Sequence, residues 1–193
     1  MPILNMNELG NSEKFDLLPL GRYPAKLKIE TYQRDQSGRL VMGKNGKNDK
    51  PIGLTTKDGA EKWNLTWILL DSEQVGRKVF DSLSFSPRGA RRAKDMLVIQ
   101  GIIKGDEEHF DLQPEMLANS FWFIKPHHEI SVGPNGVKPE SKQPFDPGNC
   151  SCAVCVKAAG TNVFVKARIG WSDFEKMSEA EAEEYAKNAT PFD

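Results

Sequence analysis

All three cysteines of the chain, Cys150, Cys152 and Cys155, fall in the stretch NCSCAVC. Thiols packed this closely along a chain either bind a soft metal or exchange disulfides. The spacing is C-x-C-x2-C, which differs from the paired CxxC form of most zinc modules. His127 and His128 stand at the other end of the same proline-broken loop. If that loop closes on itself, one of the two imidazoles joins the three thiolates in a tetrahedral Cys3His set suited to zinc. Four protein ligands leave no open coordination position, so such a zinc is structural. Three free thiols are the alternative. A stable disulfide is disfavoured in a cytoplasmic setting.

A second group of residues has the chemistry of nucleic-acid binding. Sequence-tolerant binding of a single strand needs cations that follow phosphates and flat side chains on which unpaired bases stack. Lys26, Lys28 and Tyr32 project together from one predicted strand, Lys78 and Phe80 from another, and Phe164, Lys166 and Arg168 from a third. Arg34, Lys44, Lys47 and Lys50 extend the cationic track into a Gly- and Lys-rich finger, and Trp63 stands at a strand end where it can offer a stacking platform. The competing expectation is that Phe80 and Phe164 pack under a loop or helix while the lysines solvate strand edges. Arg88, Arg91 and Arg92 cluster at the start of a predicted helix, where they grip phosphates or, if remote from the groove, serve as a solvated face or a protein contact. Enzyme signatures are missing: there is no GxGxxG or GxSxG, and GKNGKN lacks the spacing and Lys-Ser/Thr pair of a P-loop. A metal nuclease built on His127–Glu129 would need carboxylates that local spacing does not supply. The expectation is a protein that is not an enzyme.

The elements that must position these groups follow from periodicity. GRYPAKLKIETYQR alternates, with Tyr23, Ala25, Leu27 and Ile29 on one face and Lys26, Lys28, Glu30 and Tyr32 on the other, which predicts a half-buried strand. RLVM and PIGLTT flank GKNGKNDK as a hairpin inside a basic finger over 35–62. KWNLTWILLD places Trp63, Leu65, Trp67 and Leu69 on one face of a second strand, and RKVFDSLSF follows as a third. At SPRGARRAKDMLVIQGII the period changes to 3.6, predicting a helix with Ser86 as cap and Pro87 in its first turn. PEMLAN predicts a short helical turn, SFWFIK a fourth strand, and NVFVKARIGW a fifth with Val163, Val165, Ala167, Ile169 and Trp171 inward. Between the last two lies the Cys-containing loop, 126–160. Ser178 and Glu181 form a capping box for a short helix near the C-terminus.

Strand, strand, strand, helix, strand, strand is the order of an OB-fold, a mainly β, five-stranded Greek-key barrel, and the two long excursions fall on its L12 and L45 loops. An unclosed five-stranded sheet packed on one helix is the rival arrangement. On this reading 1–20 is an N-terminal extension, 21–172 the barrel domain and 173–193 an acidic tail. FDLLPLGRYPAKLKIE, KWNLTWILLDSEQVGRKVFDSLSF and the late FxVKARIGW strand, with the weak motifs LLPxGxY and GRxVFD, resemble a domain family of bacteriophage replication and recombination modules. Its members are similar to phage single-stranded DNA-binding proteins of OB-fold type. The resemblance implies a protein that coats and protects exposed single-stranded DNA during phage replication or recombination. It does not extend to the loop lengths or to the cysteines. A protein-interaction adaptor on the same barrel is the alternative from another class.

Charge fits this picture. The chain carries a net −1, but seven acidic residues against Lys176 and Lys187 put −5 on 173–193 and leave +4 on the first 172 residues. A basic body suits a polyanion, and an acidic tail ending in Pro191-Phe192 is similar to the tails by which bacterial single-stranded DNA-binding proteins recruit replication or recombination proteins. Here Asp193 follows the Phe. The start of the chain has no basic run followed by an apolar one, and no apolar cluster is long enough to span a bilayer, so the expected setting is the cytoplasm, with no membrane partner.

Overall fold

The computed structural model describes residues 17–43, 50–105, 111–133, 136–170 and 172–188. Among these residues the fold is mainly β, with seven strands in two antiparallel sheets and three α-helices. The chain divides into two compact units, a larger one of Gly21–His127 with Arg168–Asp193 and a smaller one of Met1–Leu20 with His128–Ala167.

The larger unit is built on a five-stranded sheet. Strands β1 (Tyr23–Glu30), β2 (Lys62–Leu69) and β3 (Lys78–Ser84) form a meander, β4 (Phe121–Ile124) pairs with the free side of β1, and β7 (Phe174–Lys176) pairs with β4. The order is therefore β3-β2-β1-β4-β7. Each strand forms where the sequence alternates, and the inner face collects Ala25, Leu27, Trp63, Leu65, Trp67, Leu69, Val79, Leu83, Trp122, Ile124 and Phe174, all buried. Helix α1 (Ala90–Gln100) contributes buried Ala93, Met96 and Leu97 and contacts β3 and β7. Ser86 acts one turn earlier than expected: its Oγ accepts the N–H of Gly89, the N-cap, and its carbonyl accepts the N–H of Ala90.

Closing this sheet into the expected OB barrel requires β3 to pair with β7, and no such pairing exists among the described residues. The sheet is open but strongly curled. β2 and β7 are three strand spacings apart, about 14 Å on a flat sheet. Their Trp67 and Phe174 rings nevertheless stack with centroids 6.3 Å apart, and Trp122 meets both edge-on at 5.9 and 5.5 Å. In place of direct pairing, α1 links the open edges. Arg92 Nη2 lies 2.5 Å from Asp81 Oδ2 on β3 and reaches toward the carbonyls of Ile169 and Gly170 before β7, at 3.4 and 3.5 Å. Arg92 thus leaves the arginine cluster expected at the helix start and becomes a core residue, while Arg88 and Arg91 are exposed.

The fifth strand is not the one the alternation predicts. Of NVFVKARIGW, only Val165–Arg168 is a strand, β6, and it pairs with β5 (His127–Ile130) in a separate two-stranded sheet. Every β6 residue is half-buried. After β6 the chain turns on Gly170, whose N–H donates to Asp173 Oδ2 at 2.7 Å, and re-enters the large sheet as β7. The expected boundary at 172 falls just ahead of a core strand, with Phe174 and Met177 both buried.

The basic finger is a three-way junction. Tyr32 bridges Gly53, Arg34 bridges Leu40, and Met42 bridges Pro51. At its centre the backbone bonds run in a cycle: Gln33 N–H to Ile52 O (2.8 Å), Ile52 N–H to Val41 O (2.9 Å) and Val41 N–H to Gln33 O (2.9 Å). Near the C-terminus, Ser178 and Glu181 make the expected capping box at the start of α3 (Glu179–Asn188), with Glu181 N–H donating to Ser178 Oγ and Ser178 N–H to Glu181 Oε2.

The smaller unit holds all but the first residue of β5, all but the last of β6, and a short helix, α2 (Ala153–Ala158). Its long loop is drawn closed by Phe145 N–H to Thr161 O (2.8 Å) and Gly160 N–H to Phe145 O (3.0 Å).

Candidate metal centre and nucleic-acid face

Closure of that loop gathers the cysteines. Asp146 Oδ1 accepts Gly148 N–H, and Cys150 N–H donates to Pro147 O, so the chain turns tightly into the cysteine stretch. Cys152 is the N-cap of α2, and its Sγ accepts the N–H of Cys155 at 3.4 Å. A sulfur at the N-terminus of a helical turn, facing an unpaired backbone N–H, is stabilised as thiolate.

His128, on β5, faces these sulfurs. Its Nδ1 lies 3.1 Å from Cys155 Sγ, 3.4 Å from Cys150 Sγ and 3.5 Å from Cys152 Sγ, and all four ligand atoms fall within 4.8 Å of one another. A carbonyl oxygen only accepts, so Nε2, 2.8 Å from Leu18 O, carries the hydrogen. In the neutral ring Nδ1 is then a lone pair aimed at the cluster, the orientation a second-shell partner imposes on a metal-ligating histidine. Tetrahedral zinc, with Zn–S near 2.3 Å and Zn–N near 2.0–2.1 Å, places N and S about 3.6 Å apart. The Cys150 and Cys152 spacings come within about 0.2 Å of that value, and the Cys155 spacing is shorter. His128, Cys150, Cys152 and Cys155 therefore lie close enough to bind a metal ion.

The electrostatics agree. The Cys155 N–H pulls the Cys152 thiol down to about 6, helped by His128 and Cys150. Burial pushes the Cys155 thiol up to about 12, and the neighbouring sulfurs add to the rise. Thiolates this close repel one another, and a divalent cation among them removes that penalty. His127, the other expected ligand, is not part of the centre. It is half exposed, and its Nδ1 lies 2.8 Å from Asp173 Oδ2. A pocket of about 600 Å³ in the smaller unit is lined by Leu17, Pro19, Leu20 and the Asp146–Cys152 loop.

On the larger unit, register decides which cations share a face. Lys26 is paired with Ile68 and Ile68 with Lys78, while Lys28 is paired with Thr66 and Thr66 with Phe80. Two adjacent cross-strand rows on the outer face thus carry Lys26, Lys28, Lys78 and Phe80, the face opposite the aromatic core. Phe80 is 66% exposed. Lys26, Lys28 and Lys78 have no ion pair among the described residues. Glu30, on the same face, is taken by Arg34, which also donates to Gly38 O. Toward β4 the face closes: Arg22 lies over the Phe123 ring at 3.4 Å, and Arg22 and Lys125 both pair with Glu175. Lys125, then Arg22, holds that carboxyl below the usual range.

The other expected contact residues fall elsewhere. Trp63 is 2% exposed, edge-on to Phe85 and donating to Glu61, so it has no free ring face to offer. Tyr32 and Lys50 are exposed on the finger, and Lys44 and Lys47 lie outside the described residues. Phe164 and Lys166 belong to the smaller unit, where Phe164 is exposed and Lys166 pairs with Glu129 at 3.5 Å; Arg168 ends β6. Pro191 and Phe192 also lie outside the described residues. The Leu18 carbonyl is a site group that sequence reasoning missed. Nothing about an apolar residue in an expected extension marks its backbone as a histidine's partner. No helix among the described residues is long and apolar enough to cross a membrane.

Comparison of the chain with protein-family models, curated proteins and solved structures gives no match.

Proposed function

We propose that this protein binds single-stranded DNA across the outer face of its five-stranded sheet and carries one structural zinc ion in the Cys3His centre. The observation that carries the first part is the register that surrounds an exposed Phe80 with Lys26, Lys28 and Lys78. An exposed ring flanked by cations offers what a single strand needs, since unpaired bases stack on such a ring while neighbouring ammonium groups meet the phosphates. The curl of the sheet and the helix between its third and fourth strands support a relationship to the OB barrel, opened between β3 and β7. The acidic helix α3 and the residues after it suit recruitment of replication or recombination proteins, in keeping with the cytoplasmic setting expected from composition.

Zinc is the metal that the donor set favours. Three sulfurs and one imidazole at single-ion spacing form a soft, tetrahedral site, and four protein ligands leave no position for a substrate.

Titration of labelled oligonucleotides at several salt concentrations tests the DNA reading. Affinity that favours single strands and falls with salt is expected; no binding at low salt, or preference for duplex, overturns it. Native mass spectrometry tests the metal, with one zinc per chain expected. An apo protein with three titratable thiols overturns that part.

A further inference from the structure

We infer that the metal is itself the core of the smaller unit, so that metal binding and folding of His128–Ala167 are one event, while the larger unit folds without it. This rests on the zinc reading and adds a consequence to it.

The smaller unit has almost nothing else to fold around. Its buried apolar residues among those described are Leu18, Cys155 and Ala158, and its one buried polar residue is His128. Two of these four are members of the cluster, and a third, Leu18, accepts the hydrogen bond that orients His128. Its secondary structure is not self-sufficient. β5 and β6 are four residues each and form a two-stranded sheet, which is marginal in water. α2 has six residues, well under the length at which a helix persists alone. Small units with so little apolar burial usually need a disulfide, a metal or a partner subunit. Here the cysteines are free, and their sulfurs converge with His128 at one point.

That point ties together three stretches distant in the chain: the segment at Leu18, strand β5 through His128, and the loop and first turn of α2 through the three cysteines. Without a central ion nothing bonds the three sulfurs and the imidazole to one another at the point where they converge. With one, the binding free energy becomes the folding free energy of the unit. The larger unit has a separate core, in which Leu27, Leu65, Trp67, Leu69, Met96 and Trp122 are fully buried, and it contains none of the ligands.

Amide hydrogen exchange on the full chain, read by mass spectrometry with zinc loaded and after chelation confirmed by elemental analysis, tests this. Chelation is expected to abolish protection at Ser131, Phe145, Ala159 and Gly160, whose N–H groups are bonded within the unit, and added zinc to restore it. Peptides spanning β1, β2 and β3 keep their protection, and Cys155→Ser reproduces the chelated pattern. Zinc that leaves while residues 128–167 stay protected overturns the inference and spares the zinc reading. Loss of protection in β1–β3 together with the smaller unit also overturns it. Protein that neither contains nor takes up zinc overturns both.

Discussion

Replacing Phe80 by Ala separates a binding ring from a packing ring, because the residue's position makes the two effects unequal. The side chain is 66% exposed, on the outer face of β3 opposite Thr66. Truncating it removes little buried area, so the stability change is expected to stay within about 0.5 kcal/mol. A base stacked on an aromatic ring is worth roughly 1–3 kcal/mol, so the same truncation weakens oligonucleotide binding about 5- to 150-fold. Fluorescence anisotropy with a labelled single strand at fixed low salt gives the affinity, and a thermal melt of the same sample gives the stability. Phe80→Trp is the control, since a larger π-face preserves or strengthens stacking. A folded Phe80→Ala variant with unchanged affinity would refute the reasoning, because no other ring on the outer face is as exposed among the described residues.

Changing Lys26, Lys28 and Lys78 together to Ala is expected to lower the slope of log affinity against log salt by about 2, from about 0.7 per phosphate contact on a single strand; an unchanged slope means these lysines do not meet phosphates. Asp81→Asn leaves the Arg92 guanidinium buried without its counter-charge and should cost about 3–5 kcal/mol in a denaturant melt, whereas a wild-type midpoint would mean that the pair is not what links β3 to α1. His128→Ala should abolish stoichiometric zinc in native mass spectra while His127→Ala retains it, and the opposite pattern would reassign the ligand.

Strands β1 to β3 and the helix after β3 were legible because each is long enough for its apolar period to repeat, and β4 because its four residues form an unbroken apolar run. Closure was not. Whether β3 meets β7 depends on the edges of the sheet, and alternation describes only its faces. The same limit explains the last strands. Val163, Val165, Ala167 and Ile169 alternate as a core strand should, yet β6 serves a two-stranded sheet. β7 is three residues long, with Phe174 followed by Glu175 and Lys176, too short for any period to show. Arg92 illustrates a further gap. Among the arginines of PRGARR, only packing distinguishes the one that turns inward to Asp81 from its exposed neighbours. On the outer face, by contrast, Lys26, Lys28, Lys78 and Phe80 were identified strand by strand. What the sequence lacked was the register that sets them in adjacent rows.

The choice between His127 and His128 shows how a single residue step carries chemistry. Adjacent residues of a strand project to opposite sides, so on β5 one imidazole must turn away from whatever the other meets. His127 goes to solvent and Asp173, and His128 to the three sulfurs. From sequence both stand at the same distance from the cysteines to within one position, and both are imidazoles, so neither spacing nor residue type can separate them. Burial separates them: His128 is 4% exposed, and a buried imidazole needs a partner on each nitrogen. Leu18 supplies an acceptor for Nε2, which leaves Nδ1 to be satisfied by sulfur or by a cation held among the sulfurs. A neutral thiol is a poor donor to that lone pair, while a bound metal satisfies the ring and removes the repulsion between thiolates in one step. The hydrogen bond to Leu18 therefore belongs with the candidate metal site, even though it lies on the far side of the ring.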